Sequence, residues 1–179
     1  IYEPLFIYNS LNQEYLPWLG TNYNWSKNNK ALIIITRSNV LWSDSHPFTA
    51  KDVSFTYNLL KKFPALDTGG LWNYLDNVVA VNDTIVEFDF KRVYVPGFYD
   101  IINTSIVPKH IWEGVKDPVK FSNPNPVGTG PFTNILRFEK QIFELGKNQK
   151  YWNKGKPLID KLVFNAYSGN EAATLALIN

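Results

Sequence analysis

The chain has 179 residues, of which 45% are hydrophobic and 19% charged, so it can bury a core and is not a disordered polyelectrolyte. A net charge of +2, with basic residues scattered rather than striped, leaves no electrostatic footprint for nucleic acid. The absence of cysteine excludes a disulfide framework and a thiolate metal site, and no apolar run approaches the ~20 residues of a membrane-spanning helix.

Residues 1–36 read as a meander of short strands. Residues 5–8 are apolar and aromatic, and Asn9-Ser10-Leu11-Asn12 supplies a turn. Residues 23–26 and 31–36 flank Lys27-Asn28-Asn29-Lys30, a hairpin turn with Asn where left-handed dihedrals are needed. The run Ala31-Leu32-Ile33-Ile34-Ile35 lacks alternation, which fits a strand buried on both faces or the centre of a sheet. A polar turn, Trp42-Ser43-Asp44-Ser45, then leads to a helix with an explicit start: Thr49 at the N-cap and Asp52 three residues on form a capping box. Val53, Tyr57 and Leu60 make one apolar face, Lys61 and Lys62 occupy the last turn, and Pro64 stops the helix.

Residues 64–74 read as a loop, with room for one helical turn, in which Asp67, Trp72, Asn73 and Tyr74 surround the pair Gly69-Gly70. Residues 78–81 and 84–90 form a hairpin about Asn82-Asp83, with Val86, Phe88 and Phe90 alternating against Glu87 and Asp89. Residues 94–100, containing Tyr94, Phe98 and Tyr99, read as a second aromatic loop, and residues 106–112 lead into a short helix. A proline-rich, linker-like passage over 117–126 precedes strands at 132–138 and 141–147. A last strand, 162–167, passes through Ser168-Gly169-Asn170-Glu171, read as a second capping box, into a helix over 172–178. The chain opens on Ile1 without Met and ends with no C-cap signal, so both ends read as cut, as in a fragment of an exported protein.

Length allows one ordinary domain or two small ones. Six Trp, ten Tyr and twelve Phe make the chain 16% aromatic. Such rings serve either as core or, beside neutral amides, as flat faces for uncharged polar ligands such as sugars and peptide backbones. The loop rings of 64–74 and 94–100 are the candidates for a ligand-facing lip, with core packing as the competing reading of each. Gly128-Thr129-Gly130 lacks the Lys-Ser/Thr and the following helix of a phosphate-binding loop and reads as a sharp turn into a sheet. His46 and His110, the two histidines, have no HExxH spacing, and no Gly-x-Ser-x-Gly elbow exists. No metal, cofactor or catalytic residue is therefore expected.

Several segments carry a resemblance. Thr36-Arg37, Trp42-Ser43-Asp44-Ser45 and Pro47-Phe48-Thr49-Ala50-Lys51-Asp52-Val53 resemble the strand, turn and helix start shared by family 5 extracellular solute-binding proteins, the peptide- and oligosaccharide-binding components of ABC importers. Thr36 stands where that family usually has Leu, and Ser45-His46 where it has Gly-x. Ile106-Val107-Pro108-Lys109-His110, Pro126-Val127-Gly128-Thr129-Gly130-Pro131-Phe132, Asn148-Gln149-Lys150-Tyr151-Trp152 and Asp160-Lys161-Leu162-Val163-Phe164 are similar to further segments, in the same order.

The resemblance implies an α+β chain, part of a type II periplasmic-binding-protein-like fold with mixed sheets and a few flanking helices. Residues 1–108 would be a small extra domain beside the first lobe and 109–179 an incomplete part of that lobe, the second lobe being absent. It also implies a periplasmic or extracellular, monomeric solute-binding protein, membrane-anchored as a lipoprotein when full length. Such a protein would capture oligosaccharides (cello-, manno- or xylo-type) or oligopeptides, hand them to an ABC permease and do no chemistry on them. In that family the two aromatic loops approach the ligand, so Trp72, Tyr74, Tyr94, Phe98 and Tyr99 would stack on it, with Asn73 and Asp67 as hydrogen-bonding partners. The alternative is a carbohydrate-active enzyme, a glycoside hydrolase using paired carboxylates, for which Asp44, Asp52, Asp76, Glu87 and Asp89 are the acids to consider.

Overall fold

A computed structural model describes residues 1–26 and 28–178; Lys27, the first residue of the expected 27–30 turn, and Asn179 lie outside them. The chain opens with a hairpin of β1 (Phe6–Asn9) and β2 (Glu14–Pro17), joined through Gln13 at φ 59°. β2 has no apolar alternation to announce it. β3 (Gly20–Trp25) and β4 (Ala31–Thr36) follow as the expected antiparallel pair, with Asn29 at φ 53° in the turn. β5 (Leu75–Ala80) and β6 (Ile85–Phe90) complete an antiparallel sheet of order β3-β4-β6-β5. β4 is thus interior to the sheet, yet not equally buried on both faces: Leu32, Ile34 and Thr36 are buried, and the residues between them only partly.

The buried face of this sheet presents Leu32, Ile34, Val78, Val86 and Phe88. Helix α1 (Ala50–Lys62) lies over it, placing the Tyr57 ring edge-on to Phe88 at 4.8 Å between centroids. The helix starts as its sequence dictates. Thr49 Oγ1 accepts from the Lys51 N–H, and Asp52 Oδ2 accepts from the Thr49 N–H at 2.9 Å. The other oxygen, Oδ1, accepts from the Lys109 N–H at 2.9 Å, so the cap also fixes the start of a later helix. Thr49→Ala is expected to lower stability by about 1 kcal/mol, read as a lower urea midpoint at unchanged slope.

Single 3-10 turns at Pro64–Leu66 and Leu71–Asn73 shape the segment after α1. The expected aromatic loop at 94–100 is in part helical: α2 spans Gly97–Asn103, with Phe98, Ile101 and Ile102 buried. The Pro96-Gly97 pair disguised it. Proline is compatible with a helix start, and Gly97 is required by contact, since a Cβ there would lie 2.7 Å from the Tyr74 ring. The Tyr57 hydroxyl donates to the Ile101 carbonyl, tying α1 to α2.

Short α3 (Lys109–Trp112) leads into the irregular passage and then to β7 (Phe132–Glu139), β8 (Ile142–Lys147) and β9 (Lys161–Asn165), an antiparallel three-stranded sheet. α4 (Asn170–Ile178) follows. It begins at Asn170, and the Ala173 N–H bonds the Gly169 carbonyl, which makes Gly169 the cap and leaves Ser168 outside the box expected for it. The principal core runs from Leu5 to Ile106.

Candidate functional site

β2, β3 and α2 bring one aromatic group together. Tyr23 on β3 packs against Phe98 at 4.3 Å and edge-on to Phe6 at 5.9 Å. Tyr15 on β2 meets Tyr99 at 5.4 Å and Tyr8 at 5.1 Å. Between these rings lies a groove of about 390 Å³ lined by Tyr15, Tyr23, Trp25, Val95, Phe98 and Tyr99, with Glu14 at its edge. Tyr99, 51% exposed, also lines a second groove of about 460 Å³, whose wall includes Asp67, Thr68, Gly69, Asp100 and Asn103. Aromatic faces bordered by carboxylates and amides can stack on an uncharged ligand and hydrogen-bond its polar groups.

The residues proposed from sequence fall into two sets. Asp67 and Tyr99 line these grooves, and the nearly buried Phe98 touches the first from the core side. Tyr74 and Phe98 are each only 7% exposed and face the core. The Tyr74 ring stacks on Phe90 and packs at a tilt against Tyr94, and its hydroxyl lies 3.2 Å from Asp100 Oδ2. Burial, and then the Asp100 carboxylate, push that phenol far above the usual tyrosine range. Trp72 is half-buried: its Nε1 donates to the Tyr57 carbonyl at 2.8 Å, and the Lys61 ammonium sits 4.2 Å over its ring. Asp67 accepts from the Leu71 and Trp72 N–H groups, so its carboxylate organises the 3-10 turn. Asn73 is exposed, and Tyr94 half-buried against Tyr74.

Tyr15, Tyr23 and Trp25 escaped the sequence reading. The signal was present in Tyr23-Asn24-Trp25, aromatics and an amide on one strand, but the strand pattern alone does not say which face α2 covers.

Three of the five acids considered for hydrolysis are engaged otherwise. Asp52 caps α1, Asp44 binds the His46 N–H in its turn at 3.1 Å, and Asp89 accepts from Asn77 at 3.4 Å. Among the described residues no helix is long and apolar enough to cross a membrane.

The family model described as bacterial extracellular solute-binding proteins, family 5 middle, matches residues 14–179. The oligopeptide-binding protein AppA of Bacillus subtilis is 30% identical over 79% of this chain and 27% of its own length. The dipeptide-binding protein of Escherichia coli is 26% identical over 92% of this chain and 35% of its own. The crystal structure of a periplasmic oligopeptide-binding protein of Thermotoga maritima, bound to mannohexaose, superposes with a TM-score of 0.90 at 31% identity, covering 99% of this chain and 34% of that one. The chain thus spans about a third of the length of the relatives it matches. Its mixed α+β architecture is that of these binding proteins.

Proposed function

The chain belongs to the bacterial extracellular solute-binding proteins of family 5, and from that membership we propose that it forms part of a protein that captures oligosaccharides or oligopeptides for an ABC importer. The observation that carries the reading is the family match over residues 14–179. The mannohexaose complex of the Thermotoga relative supports a sugar ligand, and the names of the Bacillus and Escherichia relatives support peptides. The whole protein works outside the cytoplasmic membrane, free in the periplasm or anchored as a lipoprotein, and passes its ligand to a membrane permease without altering it. The hydrolase alternative has no support in these relatives, and Asp52, Asp44 and Asp89 serve as cap, turn and strand partner.

Residues 1–108 form the small extra domain in this reading and 109–179 part of the first lobe. The second sheet supports that division. Phe138 and Phe164, on one face of it with Phe143 between them, are 80% and 53% exposed, apolar surface on which the rest of a lobe would pack. The ligand wall is the groove of Tyr15, Tyr23, Trp25 and Tyr99, with Asp67 and Asn73 beyond it. Trp72, Tyr74, Tyr94 and Phe98 act behind that wall, setting the position of α2 and of the loop beside it.

The test uses the whole protein in which this chain occurs. Manno-, cello- and xylo-oligosaccharides and di- to nonapeptides are titrated in, tryptophan fluorescence reports binding, and chromatography reports products. Saturable binding without cleavage is expected; cleavage products, or no binding across the panel, would overturn the reading. Trp25→Ala and Tyr99→Ala are each expected to weaken the best ligand about tenfold, equivalent to about 1.4 kcal/mol.

A further inference from the structure

We propose that Asp44, His46 and His110 form a binding site for a divalent zinc-type metal ion, separate from the aromatic grooves. The two histidines are far apart in sequence, and the fold brings them together. Asp44 and His46 lie on the turn before α1, closed by the Ser45 N–H on the Trp42 carbonyl at 2.9 Å and the Trp42 N–H on the His46 carbonyl at 2.8 Å. Ser45 takes φ 81° there, and Asp44 Oδ1 accepts from the His46 N–H. His110 comes from α3, whose first N–H, that of Lys109, is held by the buried Asp52 carboxylate.

The three side chains converge. Asp44 Oδ2 lies 2.7 Å from His110 Nε2 and 3.2 Å from His46 Nδ1, and one ligand atom from each residue falls within 4.8 Å of the others. The imidazoles stack at 4.1 Å with 22° between their planes. Tetrahedral zinc with bonds of about 2.0–2.1 Å sets its ligand atoms roughly 3.3 Å apart, so small side-chain rotations would admit the ion. Two imidazoles and one carboxylate are a zinc-type donor set, whereas magnesium and calcium select oxygen. The His46 side chain is 60% exposed, which leaves the fourth position open to water. Of the nearby lysines, Lys109 faces Glu113 and the Lys150 amine is held by the Ser45 hydroxyl, on the same turn. A bound ion would staple the turn leading into α1 to α3, at the boundary proposed between the small domain and the first lobe.

Zinc chloride is titrated by calorimetry into the chelator-treated whole protein in which this chain occurs, beside Asp44→Asn, His46→Gln and His110→Gln variants whose folding is checked by circular dichroism. The expected result is one equivalent of zinc bound, at least tenfold more weakly by each variant, and a melting temperature raised by zinc in the parent alone. X-ray absorption on the zinc-loaded parent should show two imidazoles in the shell, and one fewer in each histidine variant. No saturable binding up to millimolar zinc, unchanged affinity in either histidine variant, or an oxygen-only shell would each overturn the proposal. Asp44→Asn retains an amide oxygen to accept the His46 N–H, so loss of metal in that variant reports the ligand and not the turn.

Discussion

Glu3→Ala is expected to lower stability by about 3 kcal/mol or more, because it leaves three donors of a largely buried cluster without an acceptor and each unmet group costs roughly 1–3 kcal/mol. Glu3 is 5% exposed, and its carboxylate gathers three donors from two distant parts of the chain. Oε1 accepts from Trp18 Nε1 at 2.7 Å and from the Tyr151 hydroxyl at 3.0 Å, and Oε2 accepts from Trp152 Nε1 at 2.9 Å. Burial and the neighbouring carboxylate hold the Tyr151 phenol well above the usual range, so it stays a donor at any ordinary pH. Trp18 and Trp152 meet edge-on at 5.1 Å, with the Arg37 guanidinium 4.4 Å over the Trp152 ring. Alanine would leave three donors without an acceptor and a void among large rings. Glu3→Gln keeps the shape and one oxygen, so it should lose only about 1–2 kcal/mol, because its amide donor would face another donor. Urea unfolding orders the three proteins, and equal midpoints for parent and alanine variant would refute the account. Since total stability is about 5–15 kcal/mol, the alanine variant loses a large fraction of it.

That cluster also marks what the sequence made legible. Local signals were readable: the Thr49–Asp52 box, the alternation of Val86, Phe88 and Phe90, and the Asn-rich turn before β4 act within a few residues and appear in the structure. Interactions between distant segments were not. Nothing in Ile1-Tyr2-Glu3 says that its carboxylate will meet Trp18, Tyr151 and Trp152. Nothing in His46 and His110 says that α3 will bring them into stacking contact. The groove shows the same division. Phe98 and Tyr99 stand out as aromatics of one apparent loop, which the family resemblance places near the ligand, but only the helix they lie on shows that Phe98 turns inward and Tyr99 outward. Helix α2 was missed because a proline-glycine pair usually punctuates loops, whereas here Gly97 is held by a close contact with the Tyr74 ring.

Neighbouring substitutions in the Gly128-Thr129-Gly130 segment are expected to act with opposite signs. Neither glycine has a positive φ, so the sharp turn expected from their conformational freedom is not what requires them. The requirement is space. A Cβ on Gly128 would lie 2.4 Å from the Ile1 carbonyl oxygen and one on Gly130 2.6 Å from it, in both cases against backbone that has no rotamer to change. The close approach serves a junction of this segment with three others. The Gly130 N–H donates to the Ile1 carbonyl at 2.9 Å, the Gly128 carbonyl accepts from Ser43, and Asn148 Nδ2 donates to the Gly130 carbonyl. Gly130→Val should therefore lose at least the roughly 1–3 kcal/mol of ordinary overpacking, and more because it also parts the junction. Thr129 between them is fully buried, and its hydroxyl has no hydrogen-bond partner among the described residues. Thr129→Val fills the same volume without that unmet group and should raise stability by about 1 kcal/mol. Thermal and urea unfolding of both variants decide the matter. A stable Gly130→Val would refute the close-packing account, and a destabilised Thr129→Val would mean that the hydroxyl has a partner in solution.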